Sequence, residues 1–237
     1  MINPLFLVSA FLSEIIGSYV GFGASTILLP IAIFIMPVKE AIVLVGIFHL
    51  FGTGARALFY VRKINLKIVV LFGLPSLLFS YLGATFLSVV DTSILTKFVG
   101  LILIFFGTYN FLREKIRLPR SNFLLISGGS LVGFLAGIVG TAGAIRGVLL
   151  TTWGLTPQVY LGTGAIVGLG ADLTRVIVYV NSGLASFIDN RTVLILTSVA
   201  LLGTFIGRTM VIKTSKVLFS KIIFVALIIA GVRMLFV

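Results

Sequence analysis

The sequence predicts an all-α integral membrane protein made of two inverted-topology repeats, each of about five helical elements. Three observations carry that expectation. Apolar residues far outnumber what a soluble surface tolerates, the apolar runs recur in two matching series, and equivalent loops of the two series carry opposite charge bias. The first two elements of each repeat are expected to form a hairpin broken by glycines.

Hydrophobic residues make up 59% of the 237 positions and charged residues only 10%, against roughly 25% charged in a soluble domain. Lipid is the natural solvent for such a surface. Twenty-six glycines suit membrane helices, which use small residues for close packing. The net charge of +12 does not point to nucleic acid, because the basic residues sit mostly in short loops between apolar runs, where membrane orientation requires them. No cysteine is present and there is a single His, so disulfides, thiolate chemistry and Cys-based metal sites are excluded and no cofactor is expected. Met1-Ile2-Asn3-Pro4 lacks a positive leader region, so the first apolar run reads as a retained segment.

Apolar runs fall at 5–20, 22–36, 40–61, 67–90 and 94–112, then at 123–139, 142–153, 157–180, 191–209 and 217–237. Those at 40–61, 67–90, 94–112, 157–180, 191–209 and 217–237 have about the 20 residues that cross a bilayer core. The pairs 5–20/22–36 and 123–139/142–153 are shorter and interrupted by glycine. Ordered matches link the series: Gly17 and Gly21 with Gly133 and Gly137, Pro37 with Pro157, Arg56 and Tyr60 with Arg175 and Tyr179, Leu82-Gly83 with Leu202-Gly203, and Lys97 and Gly107 with Lys221 and Gly231. The expected division is a first membrane repeat at 1–112, a basic cytoplasmic linker at 113–122 and a second repeat at 123–237.

Loop charges set the relative orientation. Residues 62–67 carry Arg62, Lys63 and Lys67, and the linker carries Arg113, Lys115, Arg117 and Arg120, whereas Asp91 lies in the loop between the two intervening spans. In the second series the bias reverses: Asp189 occupies the loop equivalent to 62–67, and Arg208, Lys213, Lys216 and Lys221 the loop equivalent to Asp91. Opposite bias in equivalent loops requires halves that face opposite ways, hence an odd number of passes per half.

Irregular backbone at membrane depth is tolerated only where protein or a water-filled cavity satisfies it. The residues after each break, Ala24-Ser25-Thr26 and Thr141-Ala142, begin new helices whose free N–H groups favour anions, and Gly21, Gly23, Gly140 and Gly143 at the breaks complete the candidate binding set. The competing reading is tight helix packing, which suits Gly17, Gly21, Gly133 and Gly137 at small-xxx-small spacing. On the next helix His49, Thr53, Arg56 and Tyr60 share one face, and Gly168, Asp172, Arg175 and Tyr179 repeat the stripe. Arg56 and Arg175 either converge on a central site or snorkel to the interface. Asp172 is placed to pair with Arg175, which leaves Arg56 as the freer cation. Arg146 is a further anion-site candidate without a first-half counterpart. Glu14, His49 and Asp172 are the candidate proton carriers, with a structural hydrogen bond as the equal alternative for His49. Trp153 reads as an interfacial anchor.

The strings Gly21-Phe22-Gly23-Ala24-Ser25-Thr26-Ile27-Leu28-Leu29-Pro30 and Gly137-Ile138-Val139-Gly140-Thr141-Ala142-Gly143, with the duplication and the length, resemble the sulfite exporter family TauE/SafE over nearly the whole chain. Gly21, Gly23 and Pro30 fit the family's first motif, while Ala24-Ser25 and Arg146 depart from it. The resemblance implies export of sulfite, thiosulfate, an organosulfonate or another small anion by alternating access. A channel or a purely structural membrane protein is the alternative. An enzyme is not expected, because no His-Glu-xx-His or Gly-x-Ser-x-Gly constellation is present. The expected partners are the anion and the lipid bilayer, with a homo-oligomer left open.

Overall fold

The computed structural model describes residues 3–20, 23–112 and 119–209, with scattered positions between 224 and 236. Gly21, residues 113–118 of the predicted linker, Lys213, Lys216 and Lys221, and most of the predicted span at 217–237 lie outside the described residues. Every described element is helical: α1 (Pro4–Val20), α2 (Ser25–Ala32), α3 (Val38–Tyr60), α4 (Leu66–Ile68), α5 (Leu74–Val89), α6 (Thr92–Leu112), α7 (Asn122–Val139), α8 (Gly143–Thr151), α9 (Pro157–Asn181) and α10 (Asn190–Thr209). A π-helical turn, Val69–Gly73, joins α4 to α5 without interruption, so Leu66–Val89 is one rod.

Five of these helices are long and apolar enough to cross a membrane: Val38–Tyr60, Leu66–Val89, Asn122–Val139, Pro157–Asn181 and Asn190–Thr209. One expectation changes. The run at 123–139, read as too short to span, forms an 18-residue helix, about 27 Å long at 1.5 Å per residue. Ser121 starts it by accepting a hydrogen bond from the Leu124 N–H at 3.1 Å. The partition of side chains is that of a protein dissolved in lipid. Leu58, Phe105 and Phe123 are exposed while Glu14, His49, Arg56, Arg146, Asp172 and Arg175 are buried, the reverse of a water-soluble surface.

The central pair is α3 and α9. His49 meets Asp172, Thr53 meets Gly168, and Gly46 meets Tyr179, so the position on one helix falls as the other rises and the two run antiparallel. Two other pairs run parallel. Gly129, Gly133 and Gly137 of α7 lie against the carbonyl oxygens of Phe72, Ser76 and Ser80. Gly203 and Gly207 of α10 lie against the backbone of Phe11 and Ile15 on α1. For Gly133 and Gly137 the packing alternative is therefore the observed one. The α3 span is 72% buried and that of α10 only 28%, which puts α3 at the core and α10 at the lipid edge.

Contacts also sort the loops to two ends. Arg208 stacks on Phe59 at 4.5 Å and Lys67 on Trp153 at 5.5 Å, while Arg120 donates to the Thr152 carbonyl at 2.8 Å. One end thus gathers Arg62, Lys63, Lys67, Arg120 and Arg208. At the other, Lys39 donates to the Val90 carbonyl at 2.7 Å, near Glu40 and Asp91. The Arg120–Thr152 bond joins the chain just before α7 to the chain just after α8, so this stretch leaves one end and returns to it. Leu5 likewise lines a surface hollow with Phe34 and Ile35, which brings the start of α1 to the chain beyond α2. Asp189 caps α10 through Thr192, whose hydroxyl and N–H hold the carboxyl below the usual range.

Candidate functional site

The two helix breaks meet. The Thr141 hydroxyl, after α7, lies 3.3 Å from that of Ser25 and 3.2 Å from that of Thr26, at the start of α2. Each break turns on a glycine with positive φ, Gly23 at 86° and Gly140 at 77°, a conformation that side-chain-bearing residues enter at a cost. Space is restricted there as well. A Cβ on Gly23 would sit 2.6 Å from His49 Nε2, and one on Gly140 3.1 Å from Ile42. Neither Ala24 nor Ala142 caps the helix it precedes with a side chain, so both helix starts keep N–H groups without a side-chain partner.

Around this junction lie two ion-pair networks. In the first, Glu14 on α1 accepts hydrogen bonds from Arg56 of α3, from Ser18 at 2.9 Å and from Thr204 of α10 at 2.8 Å. Arg56 also reaches Ser18 at 2.9 Å and Thr53 at 3.0 Å. In the second, Asp172 holds His49 Nδ1 through one oxygen and Arg175 through the other, each at 2.7 Å. Arg175 further donates to the Ala136 carbonyl at 3.0 Å, and the Tyr179 hydroxyl donates to the Gly137 carbonyl. Thr53 bridges the networks, lying 3.2 Å from His49 Nδ1.

Both arginines are interior, at 6% and 1% exposure, and both are anchored by buried groups, which removes the snorkelling reading. The expectation that Arg56 is the freer cation is corrected: Glu14, forty-two positions earlier in the chain, neutralises it. The unpaired cation is Arg146 on α8. It is buried, yet among the described residues no carboxylate lies within ion-pair distance of it and it makes no hydrogen bond. Gly168 makes room for it, since a Cβ there would fall 2.6 Å from a guanidinium nitrogen.

A small cavity of about 10 Å³, room for a single water, lies where these parts converge. Ser25, His49, Thr141, Arg146, Asp172 and Arg175 line it, with Gly140, Ala142 and Gly143. Glu14 and Arg56 stand in the network behind. Three buried guanidiniums face two buried carboxylates among the described residues, so one positive charge remains in excess when His49 is neutral. Several buried atoms have unused hydrogen-bonding capacity: His49 Nε2, Arg175 Nε and Glu14 Oε2.

A helical chain with apolar outer faces, two glycine breaks in contact and a buried cationic centre narrows the comparison with known proteins, and the sulfite exporter TauE/SafE family matches residues 5–234. The chain belongs to that family. It is a multi-pass membrane protein, with five of the described helices fit to span. It is also similar to a "probable membrane transporter protein" of Methanocaldococcus jannaschii, with 30% identity over 161 residues, covering 61% of this chain and 60% of that relative. The chain thus spans about three fifths of the length of the curated relative it matches. No solved structure matches. Within the family frame, sequence reasoning missed Ser18 and Thr204, ordinary hydroxyls on helices distant in sequence, and Gly168. Gly168 was visible as the counterpart of His49, but its meaning depends on Arg146 lying against it.

Proposed function

We propose that the chain is a secondary carrier for a small anion, such as sulfite, thiosulfate or an organosulfonate, working by alternating access between two inverted repeats. The single observation that carries the reading is the unpaired Arg146 in a cavity bounded by both helix breaks. A buried cation without a carboxylate is costly, and an anion is the ligand that offsets the cost. Donors converge on the same place: the Ser25 and Thr141 hydroxyls and the uncapped starts of α2 and α8. Arg175 contributes field from within its pair with Asp172, and Arg56 does so from its pair with Glu14.

The inverted-repeat reading is supported by the antiparallel α3–α9 pair, by the two parallel cross-half pairs, and by Arg208 sharing an end with Arg62 and Lys63. Broken helices meeting at mid-membrane between inverted halves are a recurring transporter plan. With a cavity of about 10 Å³, an anion enters only after the breaks part, so the contact of Ser25 and Thr26 with Thr141 is the seam that opens. That closed state favours a carrier over an open channel. The basic end faces the cytoplasm, and export is the direction the family name supplies.

Purified protein in proteoliposomes is expected to catalyse saturable counterflow of at least one of labelled sulfite, thiosulfate, sulfate and a simple sulfonate. Conductive flux without counterflow would establish the channel instead, and no flux of any anion would end the proposal. Arg146→Gln is expected to weaken apparent anion affinity by about tenfold to a hundredfold, the worth of a charged hydrogen bond of about 1.5–3 kcal/mol. The protein's own stability should stay level or rise, because the variant removes an uncompensated charge.

A further inference from the structure

We infer that the site selects oxyanions in their singly charged form that still carry an O–H, over aprotic anions of the same size and charge. The inference rests on the carrier reading above and deepens it, because it divides the candidate anions into two chemical groups. The observation behind it is a buried acceptor with no partner. Asp172 accepts from Arg175 through one oxygen and lies 2.7 Å from His49 Nδ1 through the other. A carboxylate so placed requires Nδ1 to carry a proton, which in the neutral ring fixes the tautomer and leaves Nε2 as a lone pair. That Nε2 is buried beside Gly23 at the first break and has no hydrogen-bond partner among the described residues.

His49 shares its cavity with Arg146, Ser25 and Thr141. The charged groups around the imidazole are Asp172 and Arg175 from α9, Arg56 from its own helix and Arg146 from α8. A fully aprotic anion would meet the donors well but would set an oxygen lone pair against the imidazole lone pair. An anion retaining one O–H satisfies both, its negative oxygens on Arg146 and the hydroxyls, its proton toward Nε2. Charge agrees with this assignment: one excess positive charge is neutralised by a monoanion and overfilled by a dianion. A site built to hydrogen-bond a substrate O–H rejects the analogue that lacks it more strongly than size alone allows.

The test uses the full chain in proteoliposomes with equal pH on both sides and three probes: hydrogen selenite, hydrogen sulfite and methanesulfonate. At mildly acidic pH, counterflow of hydrogen selenite and hydrogen sulfite is expected to exceed that of methanesulfonate by about tenfold or more. Raising the pH until the selenite probe loses its proton should lower its counterflow. Methanesulfonate moving as fast as hydrogen selenite would overturn the inference while leaving the carrier reading intact. Faster counterflow of the deprotonated dianions would do the same. Counterflow of none of the three probes, nor of sulfate or thiosulfate run alongside them, would overturn the carrier reading itself. In His49→Phe the preference is expected to collapse toward unity, and a folded variant that keeps the full ratio would show that His49 is not the reader. If that variant does not fold, the wild-type probe ratio decides.

Discussion

The central helices α3 and α9 each bury an arginine, Arg56 and Arg175, and the two are neutralised in different ways. Arg56 on α3 reaches out to Glu14 on α1, with Ser18, Thr53 and Thr204 completing the shell. Arg175 on α9 turns to Asp172 one helical turn back on its own helix and to the Ala136 carbonyl of α7. The two arginines thus share burial but not partnership: one draws its carboxylate from another helix, the other from its own. The consequence is asymmetry at the centre. The first half supplies its cation with a carboxylate of its own. The second half shares its carboxylate with His49 of the first and adds Arg146, which has no carboxylate of its own among the described residues.

The comparison presupposes halves that face opposite ways, and the largest expected effect tests that directly, because it is all-or-none. Cysteines introduced singly at Lys63 and Arg208 should react with a membrane-impermeant thiol reagent from the same side, and a cysteine at Asp189 from the opposite side. The wild-type chain contains no cysteine, so each variant reports one position. Labelling of positions 63 and 208 from opposite sides would break the inverted arrangement and with it the equivalence of Arg56 and Arg175.

The next effect separates the two kinds of neutralisation. Glu14→Gln strands Arg56 in the interior and is expected to cost about 3–5 kcal/mol of stability, the usual penalty for breaking a buried pair from one side. Adding Arg56→Gln to it should recover part of that loss, since no charge then remains unpaired. Asp172→Asn should destabilise at least as much, and Arg175→Gln should recover less of it, because His49 and Arg175 both lean on the one carboxylate. Denaturation of the detergent-solubilised protein followed by circular dichroism, with the single variants Arg56→Gln and Arg175→Gln included, gives six values and the two couplings. Equal recovery in both cycles would mean that the halves are energetically alike after all.

Much of this architecture was legible in the residues because lipid imposes a coarse rule. Apolar runs, glycine breaks and loop charges are local, so the helices at 38–60, 66–89, 157–181 and 190–209 emerged close to their observed limits. The stripe of His49, Thr53, Arg56 and Tyr60, and its echo at Gly168, Asp172, Arg175 and Tyr179, is also local, set by helical period. The pairing of Asp172 with Arg175 followed from i,i+3 spacing. Partnerships between helices were not legible. Nothing in the neighbourhood of Glu14 announces Arg56, and nothing around Thr204 announces Glu14, because those contacts depend on which helices pack. The 123–139 run was underestimated for a related reason: its glycines look like breaks until α5 is seen filling the space that they leave.

The smallest effect probes the asymmetry where it is most compact, at Gly168. The sequence matches this position to His49, and the absence of a side chain here is what admits Arg146. In Gly168→Ala the new Cβ would meet a guanidinium nitrogen at 2.6 Å and the Thr53 methyl at 3.2 Å. The guanidinium is the far end of a flexible side chain and can yield. Alanine also favours the helix over glycine by about 0.5–1 kcal/mol. Net stability should therefore change by no more than about 1 kcal/mol. Anion affinity should fall several-fold as the displaced guanidinium loses alignment with the cavity, with a weaker effect than in Arg146→Gln and no further loss in the double variant. An additive loss in Gly168→Ala/Arg146→Gln would mean that Gly168 acts on the site by some route other than making room for Arg146, and the two halves would then differ at this position for a reason unrelated to charge.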